Sequence, residues 1–275
     1  MIDLHTHILP GMDDGARDSA TSLELLRMEK AQGVDRVIFT PHFYREREDA
    51  ASFLARRREA IARLEAAVER LSQEERAALP QWEVGAEVAW MPNLVDREEL
   101  NELCLGKSRY FLLELPMAPW GDQLIHQLYD LMGQGRVTPV IAHLDRYWSA
   151  QRPEKISDLL RLGFPIQVSA DVLLRTLSRG KALRMMQRGQ VHLLASDCHS
   201  LHHRPPNLVS AMEVVARKLG QSQAEPLGGR GVRAGGRNRG AVIRTKTKQP
   251  PQGMSCGGCF LLTWRNPPLW SPESY

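Results

Sequence analysis

The chain has 275 residues, 43% of them hydrophobic, and a formal charge of +4, enough for one large domain or two small ones around a substantial core. No apolar run reaches membrane-spanning length and no signal-type segment follows Met1, so a cytoplasmic protein without membrane insertion is expected. The basic charge does not point to nucleic acid. Of 36 Lys/Arg and 32 Asp/Glu, 8 and 2 fall in residues 221–275, which leaves 28 basic against 30 acidic residues in 1–220. Four cysteines, two of them in that last segment, make no disulfide framework.

In chain order, apolar and β-branched runs predict strands at Ile2–Leu4, Val37–Thr40, Val84–Val88, Tyr110–Leu115, Val137–Ala142, Phe164–Val168 and Val191–Ala195. Helical period and composition fill the intervals at Ser19–Gln32, Ala50–Gln73, Asp96–Leu103, Asp122–Gly133, Glu154–Leu162, Asp171–Arg188 and Asn207–Leu219. The second helix, with Arg56-Arg57-Arg58-Glu59, Arg63, Glu65, Glu69 and Arg70, reads as a solvated outer face laced with charge pairs. Strict alternation of strand and helix predicts an α/β fold with mostly parallel strands, as a barrel or a doubly wound sheet. Residues 221–275 contain nine Gly and six Pro with little period, and read as a disordered tail after a domain at 1–220. Cys256-Gly-Gly-Cys259 has half the spacing of a zinc knuckle and lacks a second pair.

Metal-capable residues fall where strands end. His5 and His7 follow the first strand, His42 the second, Glu87 the third, Glu114 the fourth, His143 the fifth, and Asp197 with His199 the seventh. C-terminal strand ends converge in a barrel and spread apart in an open sheet, so this distribution favours the barrel. His5-Thr6-His7 on an extended chain turns both imidazoles to one side. Glu114 and Asp197 follow apolar runs that predict burial, and a buried carboxylate needs a cation or donors beside it. Eight or nine imidazoles and carboxylates exceed one ion's coordination and suit Mn, Fe or Zn, so two or three ions are implied.

Met1-Ile-Asp-Leu-His-Thr-His-Ile-Leu-Pro-Gly-Met-Asp-Asp-Gly15, followed by Thr-Pro-His42, Gly-Ala-Glu87, Leu-Glu114-Leu-Pro, Ala-His143-Leu-Asp-Arg-Tyr and Ser-Asp197-Cys-His-Ser-Leu-His-His-Arg-Pro-Pro, resembles the polymerase-and-histidinol-phosphatase (PHP) superfamily. Within it, the match to about Leu219 is similar to the bacterial manganese-dependent protein-tyrosine phosphatases of capsular and exopolysaccharide operons. The resemblance implies a distorted seven-stranded (β/α)7 barrel and a trinuclear Mn2+ site. It implies one ion on His5, His7, Glu87 and Asp197, with Glu87 bridging to a second on Glu114 and His143, and a third on Asp14, His42 and His199. Asp13 competes with Asp14, and the Asp-Gly match at Gly15 favours Asp14. Arg146 and Arg204 match phosphate-binding arginines, whose guanidinium can fork onto two phosphoryl oxygens. The implied reaction is direct attack of a metal-bound hydroxide on phosphotyrosine, with His199 available to assist the leaving phenolate. The implied partner is a phosphotyrosine protein, such as a tyrosine kinase of polysaccharide export.

Two other readings share some of these residues. Cys198 and Arg204 are spaced as Cys-x5-Arg, the cysteine-phosphatase pattern, but His-Ser-Leu-His-His between them and Pro205-Pro206 after them do not suit a loop of inward N–H groups. A phosphoesterase acting on a small molecule such as histidinol phosphate would keep every metal ligand and differ only in the outer pocket. Phe43, Tyr44, Trp90, Trp120, Tyr147 and Trp148 are the aromatic candidates for that pocket.

Overall fold

The computed structural model describes residues 1–92, 94, 98–134 and 137–227. Strands are β1 Ile2–Thr6, β2 Arg36–Phe39, β3 His42–Phe43, β4 Gln81–Val84, β5 Glu87–Ala89, β6 Tyr110–Glu114, β7 Thr138–Ile141, β8 Gln167–Ser169 and β9 Leu193–Ala195. They form sheets in the orders β1-β2-β4, β3-β5-β6-β7 and β8-β9, and every named pair is parallel. Parallel bridges join Thr6 to Cys198 and Ile141 to Ile166 across the sheet boundaries. The fold is α/β with parallel sheets.

Among the described residues nine strands stand where seven are expected, because one predicted strand is interrupted and another is followed by a short strand just past its end. The run Val37–Thr40 ends its pairing at Phe39, and a strand that was not predicted begins at His42; Pro41, in the gap, has no N–H to give a ladder. The run Val84–Val88 breaks at Gly85-Ala86 in the same way. Beyond both breaks the two chains pair again, with His42 directly opposite Glu87. The interruptions thus set these two side chains as neighbours.

The helices are α1 Ser19–Ala31, α2 Ala50–Glu69, α3 Gln73–Ala77, α4 Asp122–Gln134, α5 Pro153–Arg161, α6 Asp171–Leu174, α7 Thr176–Gln187, α8 Leu208–Leu219 and α9 Gln221–Leu227. Asp18 and Asp49 cap α1 and α2 by accepting from Thr21 and Ser52 backbone N–H groups, and Ser72 with Glu75 closes a capping box on α3. The long helix expected to Gln73 therefore stops at Glu69, where a new start signal begins. The expected helix Asp171–Arg188 splits at Arg175, whose ψ of 125° is extended. Over Asp96–Leu103 the described part is a 3-10 turn, Glu98–Leu103. No helix among the described residues is long and apolar enough to cross a membrane.

Two features of the outer shell differ from the expectation. Arg58, Glu59, Arg63, Glu65 and Glu69 on α2 are exposed as predicted, but Arg57 is buried. Its guanidinium donates to the carbonyls of Gly85 (2.7 Å) and Glu102 (2.9 Å), so it clamps the break that precedes Glu87. Burial pushes its pKa down to about 10. The tail expected from 221 begins with α9, where Ala224 and Leu227 are buried, because these two apolar residues find a surface against α8 and β9. Cys256 and Cys259 lie outside the described residues.

Candidate metal centre

His5, on β1, and His7, just past its end, are buried, with their Nε2 atoms 3.2 Å apart. Glu87, on β5, meets four imidazoles. Its Oε2 lies 3.2 Å from His5 Nε2, 3.3 Å from His7 Nε2 and 3.0 Å from His42 Nδ1, and its Oε1 lies 2.6 Å from His143 Nε2. Asp197 Oδ1 stands 3.4, 3.5 and 3.6 Å from His5, His7 and His199. Glu114 reaches His143 at 3.7 Å and His42 at 3.9 Å, and Asp14 Oδ1 reaches His199 at 3.4 Å and His42 at 3.5 Å. All nine residues marked as metal ligands in the sequence are thus brought to one place.

Three sets of ligand atoms converge tightly enough for an ion: His7, Asp14, His42 and His199; His5, His7 and Glu87; and His42, Glu87 and Glu114. The partition differs from the one the resemblance implies in two respects. His7 faces two sets, and His42 straddles two, its Nε2 toward Asp14 and its Nδ1 toward Glu87.

The donor set fits divalent cations. Glu87 Oε2, Asp197 Oδ1, His199 Nε2 and His42 Nδ1 are buried and make no hydrogen bond of proper geometry, an arrangement that is unfavourable unless a cation takes up the lone pairs. Burial alone would raise Glu87, yet the imidazoles of His5, His143 and His42 hold it well below the usual carboxylate range. Burial likewise opposes ionisation of Asp197, and His5, Arg146 and His7 overcome it. His199 goes the other way, pushed down to about 2 by burial and His7, which leaves a bare nitrogen for a Lewis acid. The two non-glycine residues with positive φ among the described residues are His143 (31°) and Asp197 (54°), strained conformations of the kind that accumulate at functional sites.

The motif Asp13-Asp14-Gly15 divides its labour. The Asp13 side chain is largely covered and turned inward: its Oδ2 accepts from His7 Nδ1 (2.7 Å) and from the His42 backbone N–H (3.0 Å), and its Oδ1 from the Gly15 N–H (3.0 Å). A carboxylate behind an imidazole fixes the tautomer so that the opposite nitrogen is free for metal. Asp14, 68% exposed, projects toward His42 and His199 instead. Gly15 lies against His7, where an added Cβ would fall 2.0 Å from the His7 carbonyl oxygen.

Arg146, on the 3-10 turn Leu144–Trp148, and Arg204 both reach Asp197 Oδ2, Arg204 at 2.5 Å. Ser200 Oγ accepts from the N–H groups of His203 and Arg204, which closes the loop that carries Arg204. Two half-exposed guanidinium groups therefore stand over the buried cluster.

Compared with known proteins, residues 1–229 match the family model described as capsular polysaccharide synthesis, CpsB/CapC. The chain belongs to the CpsB/CapC family. Its relatives include tyrosine-protein phosphatase YwqE of Bacillus subtilis (strain 168), 31% identical over 92% of this chain and 96% of that protein. Tyrosine-protein phosphatase CpsB of Streptococcus agalactiae serotype III (strain NEM316) is 28% identical over 82% of this chain and 94% of its own length. A solved structure from a study of YwqE from Bacillus subtilis and CpsB from Streptococcus pneumoniae, described as unique metal-dependent tyrosine phosphatases, superposes with a TM-score of 0.70 at 28% identity. It covers 82% of this chain and 91% of that one.

Within this CpsB/CapC chain the cysteine-phosphatase spacing has no active thiol. Cys198 is fully buried, its Sγ 3.7 Å from Glu29 Oε1, and burial together with Glu29 and Asp3 pushes the thiol well above its ordinary pKa. Of the six aromatic pocket candidates, Phe43, Trp120 and Tyr147 belong to the core. Trp148 is partly buried under the Lys181 ammonium, and Trp90 packs on the core edge. Tyr44 remains at the site: its ring stacks on His42 at 5.2 Å and its hydroxyl lies 3.5 Å from Glu114. Sequence reasoning missed the supporting roles of Asp13, Arg57 and Gln167, because each acts on a ligand distant in the chain or through the backbone.

Proposed function

We propose that this chain is a metal-dependent protein-tyrosine phosphatase that regulates capsular or exopolysaccharide synthesis, with Mn2+ as its native ion. The observation that carries the reading is the Glu87 carboxylate in contact with four imidazoles, flanked by Asp197 under two arginines. The names borne by the relatives, tyrosine-protein phosphatase in each case, and the family's link to capsular polysaccharide synthesis support the substrate and setting. The mixed imidazole and carboxylate donors suit Mn, Fe or Zn rather than Ca or Mg. Divalent ions bound here supply a low-pKa water and positive charge to clamp phosphoryl oxygens.

The residues would then act as follows. His5, His7, Asp14, His42, Glu87, Glu114, His143, Asp197 and His199 would together hold the ions. Arg146 and Arg204 release Asp197 to fork onto the phosphate and stabilise charge as it moves to the equatorial oxygens. The leaving phenolate, with a pKa near 10, needs little protonation; His199, beside Asp14 and Asp197, is the residue we assign to assist it. The target we assign is a phosphotyrosine protein, a tyrosine kinase of polysaccharide export being the reading that fits the family, in the cytoplasm.

The same reading organises the fold. With β2 and β3 taken as one broken strand and β4 and β5 as another, the parallel pairs and the two bridges run through seven strands and return to β1, a distorted (β/α)7 barrel. The phosphatase unit we assign then includes α9, which ends at Leu227.

Elemental analysis of the purified chain, coupled to a phosphotyrosine-peptide assay with and without chelator, tests the proposal. Two or three ions per chain and chelator-sensitive release of phosphate are expected. Fewer than two ions with no hydrolysis of any aryl phosphate would overturn it, and faster turnover of histidinol phosphate than of the peptide would transfer the site to a small-molecule substrate.

A further inference from the structure

We propose that Gln167, on β8, is a positioning residue for two candidate ligands at once, fixing the tautomer of His5 and the backbone of His143 with a single amide oxygen. The inference rests on the reading that the cluster holds metal. In the sequence, the sixth predicted strand is the one without a metal-capable residue at its end. The structure gives that strand a different part. Gln167 is fully buried; its Oε1 accepts from the His143 backbone N–H at 2.5 Å and lies 3.4 Å from His5 Nδ1.

The orientation of the amide follows from chemistry. A backbone N–H can only donate, so the atom facing His143 is oxygen and not nitrogen. An amide oxygen can only accept, so His5 presents Nδ1–H to it and carries its lone pair on Nε2. That nitrogen faces His7 Nε2 at 3.2 Å, Glu87 Oε2 at 3.2 Å and Asp197 Oδ1 at 3.4 Å. At His143 the bond holds a residue with φ of 31°, a strained backbone that aims Nε2 at Glu87 Oε1. His5 on β1 and His7 just after it are thus backed by different acceptors, His7 by the Asp13 carboxylate and His5 by a neutral amide. A neutral acceptor orients His5 without adding another buried negative charge to a site that already has Glu87, Glu114, Asp197 and Asp13.

The test is Mn2+ titration of metal-free protein followed by calorimetry, with unfolding temperature of the metal-free chain measured alongside. Gln167→Met keeps the volume and deletes the acceptor, so Mn2+ affinity is expected to fall about 10–100-fold. Gln167→Glu keeps an oxygen at the same position and is expected to recover most of it. A purely structural role would lower the unfolding temperature and leave affinity untouched; that result, or equal affinity in Gln167→Met and wild type, overturns the proposal. In Zn2+-loaded wild type, the ring nitrogens of His5 give a second readout that needs no variant to fold. Nδ1–H is expected, and a proton on Nε2 overturns the assignment. Wild type that binds neither ion defeats the metal reading itself, and positioning falls with it.

Discussion

Asp3 and His5 stand two residues apart on β1, and each belongs to a buried cluster of acidic groups. In the rear cluster, Asp3 accepts from the N–H groups of Ser196 and His5, and burial raises it to about 6 against those bonds. Beside it burial and Asp3 push Glu29 well above its ordinary value, which favours its neutral form. In the forward cluster Glu87 and Asp197 are just as buried and shift the opposite way, held charged by imidazoles and arginines. Burial of a carboxylate therefore does not by itself mark a metal site. What faces the carboxylate decides: backbone donors and a raised neighbouring carboxyl make it structural, whereas several imidazoles and a second carboxylate around it make a donor set for a cation.

The comparison breaks most sharply at Glu87. Glu87→Gln removes the group shared by four imidazoles, and loss of at least about 1000-fold in phosphotyrosine hydrolysis is expected, above the 10²–10³ lost with a single oxyanion donor. Bound metal should fall with it in elemental analysis. If Glu87→Gln keeps both its metal and its rate, the forward cluster is no more functional than the rear one.

Removing the arginines separates phosphate handling from ion holding. Arg146→Ala or Arg204→Ala should lower kcat about 100-fold or more while metal content stays near that of wild type. A fall in bound metal equal to that of Glu87→Gln would make these guanidinium groups structural partners of Asp197 only.

Asp13 stands between the two regimes, since its side chain is largely covered and charged yet points at a ligand instead of an ion. Asp13→Asn should weaken Mn2+ binding about 10–100-fold. It should also change the dependence on pH. Burial alone would lower His7, but Asp13 and Glu87 outweigh it and hold the ring protonated up to about pH 10 in the metal-free chain. An ion needs Nε2 bare, so binding must expel a proton and affinity should rise as pH rises through neutrality. Asp13→Asn removes one of the carboxylates retaining that proton and should flatten the rise. Calorimetry in buffers of differing ionisation enthalpy measures the protons released; no release in wild type would contradict the sign.

The contrast also explains what the sequence made legible. His5, His7, His42, Glu87, Glu114, His143, Asp197 and His199 could be found because each ends an apolar run, and parallel alternation brings such ends together. The strand breaks were half visible: Pro41 directly follows the predicted strand Val37–Thr40 and Gly85 sits inside Val84–Val88, where either residue argues against a continuous ladder. That the chains would re-pair in a second sheet is a tertiary fact with no local signal. Arg57 looked like its exposed neighbours Arg56 and Arg58, because its two carbonyl partners lie 28 and 45 residues away. Gln167 was invisible for a related reason, since its partners lie 24 and 162 residues distant and its own chemistry is neutral.

The smallest effects should come from the rear cluster, and they sharpen the distinction because Cys198 adjoins Asp197 in the chain. Its thiol points to Glu29, away from the ions' candidate ligands, and its backbone N–H is taken by Ser196 Oγ at 3.1 Å. Cys198→Ser should therefore change phosphotyrosine hydrolysis by less than about twofold, with stability lowered by about 1 kcal/mol for altered packing in a closed site. Glu29→Gln, which puts a neutral amide of the same shape in place of the raised carboxyl, should leave bound metal at the wild-type level. A nucleophilic thiol predicts the reverse pattern: Cys198→Ser inactive, chelator without effect. Chelator and serine variant measured together thus decide whether the one-residue step from Asp197 to Cys198 crosses from chemistry into scaffold, as the opposite shifts of their neighbours require.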